Sequence, residues 1–412
     1  MNLRFFIATP YGLWLSIWGL WRNNRSRTAS SREVAFPRRR SPIARPTEIA
    51  DVVVVGGGIV GTSALYHLAV AGCCRVVLVE RTTLGSGSTA AAAGGIRTQF
   101  SDELNIRVGL ASIAKFTRFE EEVGTAIGFR QCGYLFLLTA DAVPAFEAAV
   151  ELQRSLGAPT RLLSPAEAVE RVPQLCLDGL AAATFNPLDG CADTGAAVQG
   201  YAAAARRHGA RILQDTTVER VVVRSGRVVG IETSRGTVST STVICAAGIW
   251  SRELAATADV EIPVRAERRY VYLTVGEDGL PSELPLTIDF ATGFYIHRER
   301  DALLLGGPWA SAEELAPIAV GRVPALADVA IRAGWSGYYE MSPDHNAIVG
   351  AAPEPEGFLY ATGFSGHGFQ QGPVVGEYLA DLVLGRQPKL DLSPFSVDRF
   401  SNHAVRPEVN VV

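Results

Sequence analysis

Lysine is nearly missing from this chain. Of 38 Lys and Arg side chains in 412 residues, only Lys115 and Lys389 are lysines, which leaves little room for Schiff-base chemistry through a lysine. The six cysteines (73, 74, 132, 176, 191, 245) include no C-x-x-C pair and are too few for a disulfide framework in so long a chain. They are expected as reduced, mostly buried thiols, which suits a cytoplasmic or mitochondrial-matrix compartment. The six histidines (67, 208, 297, 345, 367, 403) show no H-x-x-x-H or other tight spacing, so no metal site is expected. With 19% charged and 48% hydrophobic residues, the chain is neither a disordered polyelectrolyte nor a coiled coil. Its length predicts two or three structural units around a large core.

Charge is unevenly spread. Residues 1–50 carry nine arginines against Glu33 and Glu48, a net +7, so the rest carries −11 of the formal −4 total. An acidic body excludes a nucleic-acid surface there. In the basic head, Phe5 to Trp21 is an uncharged run of 17 residues, followed by an Arg- and Ser-rich stretch to Arg45. The run is at the short limit for a membrane span, and the stretch resembles an organelle transit peptide. Three readings stay open: membrane anchor, transit peptide, or non-native extension. Folding is expected to begin near Asp51.

The body opens on a dinucleotide fingerprint. Val52–Val55 is a β-branched run that reads as a buried parallel strand. Gly56-Gly57-Gly58-Ile59-Val60-Gly61 follows at once and matches G-x-G-x-x-G. Thr62–Ala71 then reads as a helix, and Val76–Val79 as a second strand closed by Glu80. Gly56 permits the tight turn, Gly58 lets a pyrophosphate approach the backbone, and Gly61 lets helix pack on strand. Glu80, 19 residues after Gly61, can accept the ribose hydroxyls and disfavours a 2′-phosphate. Strand, glycines, helix and acid in the right order make this a strong signal for an adenine dinucleotide. They do not choose between NAD and FAD.

Three further segments bear on that choice. Gly85-Ser86-Gly87-Ser88-Thr89-Ala90 runs on through small residues to Gly94-Gly95-Ile96-Arg97. Val243–Trp250 is a buried strand entering a glycine turn. Tyr360–Pro373 contains G-F-S-G-H-G-F followed by Gln370-Gln371, ahead of a helix expected over Val374–Leu384 with Pro373 as its first residue. Together these motifs resemble the D-amino-acid-oxidase-type FAD-dependent oxidoreductases over residues 51–400. The nearest branch is that of sarcosine oxidase and dimethylglycine dehydrogenase, including β-subunit-like proteins and a related mitochondrial complex I assembly flavoprotein.

The resemblance implies an α/β FAD-binding domain, Rossmann-like with a glutathione-reductase-type parallel sheet, and an interleaved α+β substrate domain on a mixed sheet. The expected division is 51–132, 191–257 and 336–400 for FAD, 133–190 and 258–335 for substrate, and a tail at 401–412. Helices are read at Asp141–Leu156 and Ser164–Arg171, a β-meander at Val218–Val223, Arg227–Thr233 and Thr237–Val243, and strands at Val264–Val275 and Gly293–Leu305. Implied FAD contacts are Gly56, Gly58, Ile59, Val60, Gly61, Glu80 and Arg81 in the fingerprint, and Ser86, Ser88, Thr89, Gly94 and Gly95 beyond it. Val218, Ala247, Gly248 and Trp250 follow in the middle, then Gly363, Gly366, His367, Gly368, Phe369 and Gln370 near the end.

The implied reaction is removal of a hydride from the carbon beside the nitrogen of a secondary amino acid or related amine, sarcosine- or proline-like. Arg97 is the leading substrate residue, because a guanidinium holds a carboxylate by parallel hydrogen bonds. His367, Gln370, Tyr295 and Tyr338 are further catalytic candidates, with His297 and Tyr339 in the same segments. Arg268 and Arg269 read as structural ion pairs. The chain departs from the branch in three places. Gln370 stands where a lysine is found, so a second carboxylate clamp is missing or neutral. The FAD-carrying cysteine aligns near Gly337, and the FAD-carrying histidine has no counterpart, so FAD is expected to be non-covalent. The oxygen-activating lysine aligns near Leu304, which favours a dehydrogenase. The electron acceptor is left open among oxygen, a quinone and an electron-transfer protein. Two alternatives remain: a weakly catalytic flavoprotein assisting respiratory-complex assembly, associated through its N-terminus with a membrane or complex, and a D-amino-acid or 2-hydroxy-acid dehydrogenase.

Overall fold

The computed structural model describes residues 48–276 and 279–411. The three readings of the basic head fall on residues 1–47, outside the described residues. Ahead of Asp51, the first described residues are already in a sheet. Glu48–Ile49 pairs in parallel with Gly236–Ser239, and Glu48 is tied to Arg211 at 2.5 Å. No helix among the described residues is long and apolar enough to cross a membrane.

Two large sheets organise the molecule. The first has Val52–Val55 at its centre, flanked in parallel by Val76–Val79 and Val243–Cys245. Arg211–Leu213 and Phe358–Thr362 extend it in parallel on either side, and Ile348–Ala351 closes one edge antiparallel. The valine-rich strands have no polar face because helices cover one side and a meander the other. The Ile59–Val70 helix packs between Thr194–Arg207 and Gly368–Val383. Its approach to the latter is close: a Cβ at Gly376 would strike Ser63.

The second sheet is mixed and has eight strands. Its order runs Ala330–Met341, Arg265–Val275, Ala302–Gly307, Phe294–Glu299, Leu286–Asp289, Tyr134–Leu138, Ala182–Asn186, Arg161–Leu163. Leu286–Asp289 and Tyr134–Leu138 are parallel neighbours and join two antiparallel halves. Strands from 134–186 and 265–341 are therefore one sheet, although more than a hundred sequence positions lie between neighbours such as Tyr134 and Leu286.

Several expected boundaries shift. The segment read as one strand over Gly293–Leu305 is a hairpin, Phe294–Glu299 paired with Ala302–Gly307, turning at Arg300 with φ +56°. The third meander strand stops at Ser239, because Thr242 N–H donates to Thr240 Oγ1 and turns the chain into the parallel sheet at Val243. The expected domain boundary at 336 falls within one strand, Ala330–Met341, held in register by Arg265–Val275. The last long helix starts at Gly368 rather than after Pro373. The glycine motif thus forms its first turn, and Pro373 sits inside the helix.

Candidate active site

Between the two sheets lies a cavity of about 690 Å³. It runs from the fingerprint strands to the junction of Arg97, the Gly366–Gln370 turn and the mixed sheet.

At the fingerprint end the backbone follows the expected mechanics. Gly56 has φ +109°, and a Cβ there would fall on the Ala246 carbonyl. Gly61 does not line the cavity; a Cβ on it would overlap the Gly56 carbonyl oxygen, so its role is to let helix and strand touch. Glu80 is held by Gly57 N–H at 2.7 Å and Thr82 N–H at 2.8 Å. Both carboxylate oxygens keep lone pairs for ribose hydroxyls. Arg81 lies over the Trp250 ring at 3.7 Å, and Trp250, 42% exposed, forms the outer lip.

The small-residue segment turns inward differently from the expectation. Thr89 Oγ1 accepts from Ile59 N–H at 3.2 Å, and Ser88 Oγ donates to the Tyr338 carbonyl at 2.6 Å. These hydroxyls bind the fingerprint helix to the mixed sheet as well as lining the cavity. Ser86, Gly94, Gly95, Val218, Ala247, Gly248, Gly366, Gly368 and Phe369 also line it. Gly363 does not: at φ +68° it is packed against Ile348 and Val264.

At the other end stands Arg97, only 5% exposed. Its Nη2 donates to the carbonyl of Asn410 at 2.6 Å and to His367 Nε2 at 3.1 Å, and its Nη1 donates to the Gln99 carbonyl. The guanidinium rests 4.1 Å from the Phe100 ring centre. Nε–H and the second Nη1–H remain for a ligand, so the two-bond fork expected of Arg97 is half filled by the protein itself. Because Arg97 can only donate, His367 Nε2 accepts and the imidazole is neutral. Burial and the Arg97 charge hold it well below the usual histidine value.

Gln370 lines the cavity, but its Oε1 accepts from Arg97 N–H at 2.7 Å. It fixes the strand that carries Arg97. Tyr295 is half-buried and lines the cavity, with its hydroxyl pushed up by desolvation. Tyr338 also lines it, yet its hydroxyl is taken by Arg268 at 2.5 Å. Tyr339, one position on, has its ring against Gly366. His297 is fully buried and does not line the cavity; burial keeps it neutral, at about 4. Leu304, the aligned position for an oxygen-activating lysine, does not line it either.

Arg269 changes the expectation of a missing second cation. It lines the cavity, pairs with Glu267 at 2.5 Å and lies 5.1 Å from the Tyr339 ring centre. The signal was present in the two-residue period of its strand, where Arg269 and Val271 both face the cavity. Tyr134 was also missed; its hydroxyl occupies the space that a Cβ on Gly95 would need. Behind Arg97, Asp189 accepts from Thr98 N–H, Thr98 Oγ and Gln99 Nε2. Burial outweighs those donors and pushes its carboxyl up to about 7.

The DAO model, described as FAD-dependent oxidoreductase, matches residues 51–382. The chain belongs to this family. It is 32% identical over 87% of its length to 4-methylaminobutanoate oxidase (formaldehyde-forming) of Paenarthrobacter nicotinovorans, covering 46% of that protein. It is 31% identical over 89% of its length to FAD-dependent oxidoreductase domain-containing protein 1 of Xenopus laevis, covering 86% of it. Sarcosine and dimethylglycine dehydrogenases are matched similarly, so the chain spans about half the length of several curated relatives. Among solved structures, L-proline dehydrogenase from P. horikoshii superposes with a TM-score of 0.81 and 33% identity, over 87% of this chain and all of that one.

FAD is the family's cofactor, and the residues present fit it. Glu80 is set for a ribose, Gly56 and Gly61 have no room for a Cβ, and the long cavity ends against the first turn of the Gly368–Val383 helix. That helix end carries partial positive charge, which would favour the negative charge that reduction gives a flavin bound in this cavity.

Proposed function

We propose that this chain oxidises a secondary amino acid or related amine at the carbon beside nitrogen, with FAD held non-covalently. The observation that carries the proposal is that Arg97 and Arg269 line the same cavity, and that both charges act on the Tyr339 hydroxyl, which lines it with them. One buried guanidinium, Arg97, and one half-buried, Arg269, suit an amine that also bears a carboxylate. Bound FAD supplies the hydride acceptor. The chain's own part is to anchor the carboxylate through Arg97, to present the neutral His367 beside it, and to exclude water with Tyr134, Tyr295 and Tyr339. Cysteine is absent from the cavity lining among the described residues, and the lining histidine His367 spends Nε2 on Arg97; both support non-covalent binding. The parallel-sheet unit is assigned to FAD and the mixed sheet to the substrate.

Anaerobic titration tests this reading. N-methylglycine, L-proline, 4-methylaminobutanoate, D-alanine and lactate are added singly to the purified flavoprotein, and the visible flavin band is followed. Bleaching by one of the secondary amines, with the expected imine hydrolysis products, supports it. Bleaching by lactate or D-alanine alone transfers the chain to a different substrate class, and no bleaching with any compound sinks the proposal.

A further inference from the structure

The C-terminal segment, expected to be a plain tail, is built into the site. Glu408 and Asn410 are each 1% exposed. The Glu408 carboxylate accepts from Ser101 N–H at 2.9 Å, Ser101 Oγ at 2.7 Å, Asp102 N–H at 3.1 Å and Asn105 Nδ2 at 3.0 Å. It also accepts from Asn410 N–H at 2.9 Å. Its own N–H donates to the Asp344 carbonyl at 3.0 Å. Arg406 pairs with Asp102 at 2.5 Å. These bonds seat the chain so that the Asn410 carbonyl meets Arg97 Nη2 at 2.6 Å. Neither Glu408 nor Asn410 lines the cavity. They stand behind the guanidinium, with Glu408 among the negative charges that face it.

We propose that Glu408 and the main-chain carbonyl of Asn410 are positioning groups for Arg97, fixing which of its N–H donors point at a ligand carboxylate. The proposal rests on Arg97 being the carboxylate anchor. A guanidinium on three rotatable carbons, flanked by Phe100 and Phe136, has no orientation of its own. With both Nη2 hydrogens taken by Asn410 and His367 and one Nη1 hydrogen by Gln99, only Nε–H and one Nη1–H are left to donate, each from its own side of the guanidinium. The tail thus sets ligand affinity without touching ligand.

The test uses the FAD-loaded chain and acetate as probe, with binding read from the shift of the flavin band. N-methylglycine KM and kcat are measured alongside. Four variants are compared: a chain ended after Val409, Glu408→Ala, Glu408→Gln and Arg97→Lys. The first two are expected to weaken acetate by about 10-fold and to raise KM more than they lower kcat. FAD content is expected to stay near the parent's, while the melting temperature of Glu408→Ala falls because five donors lose their acceptor. Glu408→Gln keeps an acceptor oxygen and recovers part of the loss. Combining Arg97→Lys with the shortened chain adds little, because both act through one guanidinium. If the shortened chain does not fold, Glu408→Ala carries the test. Unchanged acetate affinity in the tail variants, with a clear loss in Arg97→Lys, overturns the positioning role. Tighter acetate binding in the tail variants also overturns it, since the tail would then compete with the ligand. Unchanged affinity in Arg97→Lys removes the anchor reading, and the positioning role with it.

Discussion

The two ends of the cavity are built in opposite ways. At the fingerprint end, the strand, glycine turn, helix and Glu80 come from one stretch of about thirty residues, and most contacts are made by backbone. At the Arg97 end, the groups come from Arg97 itself, Tyr134, Arg269, Tyr295, Tyr339, His367 and the last residues of the chain. On the proposed function, the first end holds the cofactor and needs only a shape, and the second distinguishes ligands with side chains whose orientation depends on distant partners. Substitutions at the first should abolish the flavoprotein, while those at the second should leave it yellow and alter what it binds.

The largest effect is expected at Gly61. A Cβ there overlaps the Gly56 carbonyl oxygen, and neither backbone can yield without opening the helix–strand contact. Gly61→Val should cost about 3 kcal/mol or more and give colourless protein or none in the soluble fraction. Flavin content by absorbance after purification checks this. A yellow, normally melting variant would break the distinction between the two ends.

Next comes Arg97→Met. Loss of a charge-assisted hydrogen bond of about 1.5–3 kcal/mol should raise KM for a carboxylate-bearing amine by about 10- to 150-fold. FAD content should remain near the parent's, because Arg97 supports the ligand end. Steady-state kinetics beside a flavin spectrum reads both quantities from one preparation.

This contrast also explains what could be read from sequence. The G-x-G-x-x-G turn, its strand and helix, and Glu80 are local, so spacing carries them. The parallel sheet followed from valine runs, and the site's glycine motif from the resemblance. The one-residue choice between Tyr338 and Tyr339 needed the pleat of an edge strand paired with Arg265–Val275. Arg269 read as an ion pair, which it is, but its pairing with Glu267 also leaves it facing the cavity. Gln370, expected against flavin, lines the cavity, and the further role of its amide oxygen in accepting from Arg97 N–H had no signal in the sequence. Glu408 and Asn410 gave no signal, because an acid and an amide near a C-terminus look the same whether solvated or buried.

A smaller effect separates the ends by pH. Asp189 lies behind the Arg97 strand, and its carboxyl is raised from 3.8 to about 7 by burial. Between those values the folded chain keeps a proton that the unfolded chain has released. The stability it contributes is therefore complete below the unfolded value and lost as pH rises through about 7. Asp189→Asn should remove that slope, flattening stability against pH by up to about 1.4 kcal/mol per unit in that window. Denaturant melts at several pH values measure it. A variant whose slope equals the parent's would show that Asp189 is ionised throughout, held by Arg97 and the Thr98 donors.

The smallest effect tests the pleat itself. Tyr338 Oη accepts from Arg268, while Tyr339 sets its ring against Gly366 and lines the cavity with Arg97 and Arg269. Tyr338→Phe removes one exposed hydrogen bond and should change kcat/KM by less than about 3-fold, with stability within about 1 kcal/mol. Tyr339→Ala opens a hole beside Gly366 and His367, and should exceed the Tyr338 effect in KM by about 10-fold. Measuring the two side by side sharpens the comparison within a single strand. If Tyr338→Phe proved the more damaging, the ligand would be reading the Arg268 face, and the groups assigned to the ligand end would have to be redrawn around it.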